Sequence, residues 1–374
     1  MRIRYGVAAL SAIGLVLAFG ATRAQAQQEF KIGVVESVTG PFAQAAKDEQ
    51  DGVMAWVKKR GLPGKKITFV TLDDETNPVE SQNTFRKLAS DPSINLIYDL
   101  VNSNSAMAIK SVASEMKVPL ISSGAVETLG VPADPWLFKV APGPTDMLVV
   151  LLQYAQKKGY TRMASMHSTS AFGKAEEAAI RQLAPKYGVT LVDVEEFADE
   201  ETNFTPIVTR IKASNPQILY NGASGRPGIL SYKAIKQLGL TMPYAVQQAN
   251  ISPSLFDAVG GAKNVDGMMT PMQMGAFGEA MGGDTARLYK ELADTLGRAP
   301  VYSATFGYDV GLITEAAVPK SNGTRQGIRD AIESLKNVPG VNGPISYQPD
   351  NHTGQDYRSL LMAKLVNGLP QPAD

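Results

Sequence analysis

The chain has 374 residues and no cysteine, with 36 Lys and Arg against 36 Asp and Glu, and 44% hydrophobic and 19% charged residues. These figures exclude a disulfide framework, a thiolate metal site and a basic surface for nucleic acid, and they leave too much apolar content for a disordered chain. At roughly 150 residues per domain, the length suits two domains.

The N-terminal segment Met1-Arg2-Ile3-Arg4, an apolar run from Tyr5 to Gly20 and the site Ala24-Gln25-Ala26 predict a secretory signal peptide over residues 1–26, cleaved after Ala26. The run is short for a membrane span, and no later stretch reaches about 18 uninterrupted apolar residues. No cysteine follows to carry a lipid, so the expected product is a free periplasmic protein. From Phe30 onward, short apolar runs alternate with helical stretches. Strands are predicted at residues 31–35, 67–72, 94–98, 119–121, 162–166, 190–194, 217–220 and 265–269. Several are continuously apolar, as strands buried on both faces of a parallel sheet are. Residues 105–116 place Ala106, Ile109, Val112, Ala113 and Met116 on one stripe of an amphipathic helix. The predicted class is α/β, doubly wound. Pro/Gly punctuation at 140–146 announces a helix near Met147, and residues 270–283, rich in Gly and Met, read as irregular. Helices are then expected at 285–296, 303–316 and 325–336, and the irregular stretches divide the chain into two lobes.

Signals of catalysis are weak. The two histidines, His167 and His352, are far apart in sequence, and neither a Gly-x-Ser-x-Gly elbow nor a phosphate-binding loop occurs. Asp73-Asp74-Glu75 at a strand end reads as a solvated turn, and the methionines of 268–274 as packing rather than a soft-metal site. No catalytic residue, metal or cofactor is expected. What stands out is a set of small polar loops directly after strands. Asn102-Ser103-Asn104-Ser105 and Ser122-Ser123-Gly124-Ala125 follow consecutive strands of the first lobe, where backbone N–H groups and a helix N-terminus favour an anion. Ser103 and Ser105 at a helix start suit capping equally well. Residues 167–173 and the loop Asn221-Gly222-Ala223-Ser224-Gly225-Arg226 form the matching pair in the second lobe, which suggests a ligand enclosed by a hinged clamp.

Over essentially all of the mature chain the sequence resembles the type I periplasmic binding proteins of the leucine/isoleucine/valine-binding kind. The pieces that carry the resemblance are Ile32-Gly33-Val34-Val35 through Thr39-Gly40-Pro41, Val118-Pro119-Leu120-Ile121-Ser122, Ala171-Phe172-Gly173, Asn203-Phe204-Thr205-Pro206, Gln237-Leu238-Gly239-Leu240 and Gly307-Tyr308-Asp309. The resemblance implies two Rossmann-like lobes joined by three hinge crossings, with residues 27–143 and 273–347 in the first lobe and 144–272 and 348–374 in the second. It also implies capture of a solute by a monomer and delivery to an ABC permease. By the same resemblance, Ser103 and the backbone of Gly124, Ala125 and Val126 hold the ligand carboxylate, Val126 standing where a Thr hydroxyl is usual. Phe172 takes the place of a Tyr, and Gln248 falls where an acidic residue pairs with the ligand ammonium.

A buried ammonium without an anion is costly, so Gln248 points to a carboxylate ligand lacking the α-amine. Phe42 and Phe172, with Tyr98, Tyr220 and Phe277 as further candidates, would give apolar walls suited to an aromatic or hydrophobic acid. Ala223 and Ser224 complete the candidate set, and Arg226 either reaches the cleft or faces solvent. Two readings stay open beside this one: a hydrophobic amino acid, with Glu127 or Asp309 taking the ammonium, and a sensor that signals through a membrane receptor. A hydrolase would have to pair His167 with Ser168 or Ser170.

Overall fold

The computed structural model describes residues 28–373 except Pro41, Val101, Asn102, Asp199, Ser224 and Ser252; the predicted signal peptide and the candidate Ser224 lie outside the described residues. Strands β1 (Gln28–Glu36), β2 (Lys65–Asp73), β3 (Ile94–Leu100), β4 (Leu120–Ser122) and β5 (Leu137–Lys139) form one sheet, ordered β2-β1-β3-β4-β5 and parallel throughout. The second sheet contains β6 (Arg162–Ser168), β7 (Thr190–Phe197), β8 (Ile218–Asn221), β9 (Tyr244–Val246), β10 (Met269–Gln273), β11 (Leu360–Val366) and β12 (Leu369–Pro372). Its order is β12-β11-β10-β9-β8-β6-β7, parallel except where β11 and β12 run antiparallel at one edge.

Helices cover both faces of each sheet, which is why the strands read as apolar runs: Ile32, Val35, Leu96, Ile97 and Ile121 are all buried. In chain order the helices are α1 (Ala43–Lys59), α2 (Pro78–Ala89), α3 (Ser103–Met116), α4 (Pro144–Lys157), α5 (Ala171–Leu183) and α6 (Thr205–Ala213). They continue as α7 (Gly225–Gln237), α8 (Pro253–Ala258), α9 (Gly283–Leu296), α10 (Tyr302–Ala317) and α11 (Arg325–Glu333). Although α9, α10 and α11 come after β10, they pack against α1 and β3 of the first sheet. The contact of α1 with α10 requires glycine: a Cβ on Gly307 would stand 1.9 Å from the Glu49 carbonyl oxygen. This two-lobed α/β architecture is the one the strand–helix alternation predicts.

Three segments pass between the sheets, from Lys139 to Pro144, from Gln273 to Gly283, and from Thr353 to Leu360. The last differs from the predicted division at 347/348. The Lys139 N–H donates to the His352 carbonyl at 2.9 Å and the Gly354 N–H to the Lys139 carbonyl at 2.7 Å, so the chain stays on the first sheet's edge through residue 354. The strand predicted at 265–269 is displaced too. Residues 262–265 form a 3-10 turn, and Gly267 at φ 86° breaks the extended run, so pairing begins only at Met269 and takes in part of the stretch read as irregular. Met268, Met269 and Met272 are packed inside. Helix α4 starts at Pro144 rather than near Met147, because Asp146 accepts the Gly143 N–H at 2.8 Å and opens the helix. Finally, Asp74 is not solvated. It is 1% exposed and accepts the hydroxyls of Ser37 at 2.7 Å and Ser81 at 2.9 Å.

Candidate functional site

The carboxyl ends of β3 and β4 bring the first-lobe loops together. Ser103, at the first turn of α3, accepts the Ala125 N–H on its Oγ at 3.0 Å, which leaves the hydroxyl proton to donate. The Gly124 N–H donates to Ser122 Oγ at 3.0 Å, and that hydroxyl donates to Asp99 Oδ2 at 2.7 Å. Asp99 is buried, and burial pushes its carboxyl up to about 7 against the hydrogen bonds from Ser122 and Ser105. Of the three predicted backbone donors, Gly124 and Ala125 are already engaged by serine oxygens. Val126 N–H is the one that meets no acceptor among the described residues.

Further acids stand at the same strand ends. Glu36 closes β1 and is pushed up to about 7, first by burial and then by Asp73 and Asp74. A cation, Lys139 at the end of β5, is buried to 1% exposure. Its Nζ donates to the carbonyls of Ala125 at 2.9 Å and Val126 at 3.3 Å.

In the second lobe the hydrogen bonds run inward. His167 Nδ1 lies 3.1 Å from Glu176 Oε2, and the Tyr220 hydroxyl donates to Glu176 Oε1. His167 and Ser168 are consecutive in β6 and so point to opposite faces; the His167 ring is committed to Glu176, and the Ser168 and Ser170 hydroxyls pair with each other at 2.6 Å. The nucleophile and base of the hydrolase reading are thus apart. Ala223 is 1% exposed, its N–H donates to Asn221 Oδ1 at 2.9 Å and its carbonyl accepts from Asn250 Nδ2, which corrects its assignment as a ligand contact. Arg226 is exposed at the start of α7.

Among the predicted aromatic walls, Phe42 and Phe172 are exposed at the starts of α1 and α5. Tyr98 is not a wall: it is buried in the first-lobe core with its hydroxyl 2.6 Å from Thr314 Oγ1. Tyr220 sits behind its loop on Glu176, and Phe277 packs with Met272 and Ala363. An aromatic that the sequence did not single out, Tyr302 at the first turn of α10, is 43% exposed. It joins Gln248 through a third residue. Gln248 Nε2 donates to Gln273 Oε1 at 3.0 Å, and Gln273 Nε2 reaches the Tyr302 hydroxyl at 3.4 Å, so two amides and a phenol bridge the lobes beside the second crossing. Gln248 Oε1 is buried and has no partner among the described residues. Of the alternative acids, one is enclosed in the first lobe and the other follows Val126 in the carboxylate loop. Asp309 is enclosed by the N–H groups of Val341 and Asn342 and the amide of Gln355, and Glu127 lies against Thr145 N–H at 3.4 Å in the first crossing. A groove of about 480 Å³ under Tyr232, Tyr244 and Lys364 lies at the amino ends of β9 and β10, away from these loops.

Known proteins resemble the chain in sequence and in fold. The family model described as periplasmic binding protein matches residues 29–366. A Leu/Ile/Val-binding protein homolog 6 from Brucella suis is 22% identical over 354 residues, covering 90% of this chain and 88% of that protein. The crystal structure of an extracellular ligand-binding receptor from Rhodopseudomonas palustris HaA2 has a TM-score of 0.75 and 26% identity, covering 93% of this chain and all of that one. A solute-binding protein of an ABC transporter from R. palustris, solved in complex with 4-hydroxybenzoate, has a TM-score of 0.72 and 20% identity over 93% of this chain and 96% of that one.

Proposed function

The chain belongs to the periplasmic binding protein family, and on that premise we propose that it captures a small organic carboxylate between its lobes and presents it, closed, to an ABC permease. The observation that carries this reading is the lock between Ser103 and Ala125, which holds two strand-end loops together at a helix N-terminus while leaving a hydroxyl proton and the Val126 N–H to donate. The ligand lacks an α-amine and is aromatic or hydrophobic. Gln248 offers an amide oxygen but no charge, and burying an ammonium against it would cost more than a neutral hydrogen bond returns. Phe42, Phe172 and Tyr302 supply the apolar surface that closure would cover. The neighbour solved with 4-hydroxybenzoate supports this ligand class, and the names of the Brucella relatives support the other one, branched-chain amino acids. Only contacts that differ between open and closed forms can let a permease tell loaded protein from empty.

Calorimetric titration of the mature protein with benzoate, 4-hydroxybenzoate, phenylpyruvate, L-phenylalanine and L-leucine tests the reading. The amine-free acids bind at least about tenfold more tightly than the amino acids, as a difference of about 1.4 kcal/mol for the unpaired ammonium requires. Gln248→Glu narrows or reverses that preference. Leucine binding more tightly than every acid would overturn the ligand class.

A further inference from the structure

Among the described residues, Lys139 is the one Lys or Arg that is fully buried, and it is buried beneath the carboxylate loop. Its Nζ is bonded to two carbonyl oxygens, those of Ala125 and Val126, rather than to a carboxylate. The Ala125 carbonyl and the Val126 N–H are two ends of one trans peptide unit and point in opposite directions. Drawing that oxygen onto Lys139 therefore turns the Val126 N–H away from the lysine, and the positive charge behind the carbonyl polarises the N–H in front of it. The Val126 carbonyl and the Glu127 N–H stand in the same relation.

Resting on the carboxylate reading above, we propose that Lys139 is a positioning residue of the ligand site: its ammonium, behind the Ala125–Val126 peptide, aims and strengthens the Val126 N–H that receives the ligand carboxylate. Lys139 does not touch the ligand; it acts through one peptide plane. Burial pulls its pKa down to about 8, while Glu127 from the turn after β4 and Asp146 from α4 act to keep it protonated. Two opposite pH trends result. Because the folded pKa lies below the unfolded one, the unfolded chain binds the extra proton between about 8 and 10.5, so this group's contribution to stability rises with pH in that window. Binding of the anion needs the charged lysine, so affinity falls over the same range. A lysine that only holds the fold together gives the first trend without the second.

The test uses the full mature chain as wild type, Lys139→Met and Lys139→Arg, with 4-hydroxybenzoate as probe and 4-hydroxybenzyl alcohol as its uncharged counterpart. Loss of the polarising charge in Lys139→Met weakens the acid at least about 30-fold and the alcohol less than about threefold, whereas Lys139→Arg stays within about fivefold of wild type. Wild-type affinity for benzoate, whose charge is constant over this range, falls about tenfold or more between pH 7.5 and 9.5, and that of Lys139→Met stays flat. In the ligand-free protein the Val126 amide proton resonance moves upfield in Lys139→Met. Should that variant fail to fold, the wild-type pH profile and Lys139→Arg carry the test alone, and a profile flat to pH 9.5 overturns the proposal. Because the amide is read without ligand, the two failures separate. An unmoved Val126 amide, or acid affinity kept within about threefold in Lys139→Met, overturns the role of Lys139 and leaves the carboxylate reading standing. A moved amide in a protein that binds none of the acids overturns the carboxylate reading, and the subsite with it.

Discussion

The two lobes set polar loops at the same place, the carboxyl ends of parallel strands, but spend their hydrogen bonds differently. In the first lobe the bonds run from loop to loop: Ser103 to Ala125, Ser122 to Gly124 and Asp99, Lys139 to Ala125 and Val126. They leave donors at the surface. In the second lobe they run inward, from His167 and Tyr220 to Glu176, from Asn221 to Tyr244, and from Asn250 to Ala223, and leave Phe172 as the outward feature. A site divided this way reads charge on one lobe and shape on the other. On the proposed carboxylate reading, the first lobe takes the carboxylate and the second lobe covers the ligand with Phe172 and Gln248.

The contrast breaks most readily at Gly222. A Cβ there would lie 2.0 Å from Glu176 Oε2 and 3.1 Å from His167 Nδ1, so Gly222→Ala must push apart a buried cluster whose carboxylate has nowhere else to go. Overpacking of this kind costs about 1–3 kcal/mol, which lowers the melting temperature of a lobe of this size by roughly 2–10 °C. Scanning calorimetry reads it, and a variant as stable as wild type would mean that the second-lobe cluster yields and that its inward hydrogen bonds do not hold the loop in place. A smaller effect is expected in the first lobe. Ser103→Ala removes the acceptor of the Ala125 N–H and the hydroxyl proton facing the ligand, at a cost of about 1–2 kcal/mol in binding, or roughly 5- to 30-fold in Kd. Its melting temperature stays close to that of wild type. Unchanged affinity in the acid titrations would show that the ligand carboxylate does not sit on this loop.

The strand–helix alternation and the strand-end loops are legible in the sequence because buried parallel strands leave uninterrupted apolar runs, and small polar residues mark the loops at their ends. Lys139 is not legible. Its strand, Leu137–Lys139, is three residues long between prolines, and a charged residue at such a place reads as surface until β4 and the 352–354 segment are seen to enclose it. Strands β9, β11 and β12 escape notice for related reasons, the first being three residues long and the others pairing at an antiparallel edge late in the chain. Tyr302 and Gln273 meet only because the second crossing returns the chain to the first lobe, a relation that no local pattern encodes. Asp74 reads as solvated because acids usually are, whereas Ser37 and Ser81, far from one another in sequence, supply the hydroxyls that let it be buried.

The smallest expected effect tests the division of labour most directly. Arg226 carries the guanidinium of the second-lobe loop region, and such a group is well shaped for a bidentate carboxylate contact. It is nonetheless exposed, while the first lobe already provides Ser103 and Val126 with Lys139 behind them. If charge is read by the first lobe alone, Arg226→Ala changes the Kd for 4-hydroxybenzoate by less than about twofold, within the range of ordinary surface substitutions. A loss of about tenfold or more, the size of a desolvated charge pair, would put the carboxylate partner on the second lobe and reverse the comparison. The ligand would then lie turned end for end, with its carboxylate toward α7 and its ring against Ser103 and Val126, and Ser103→Ala would cost little.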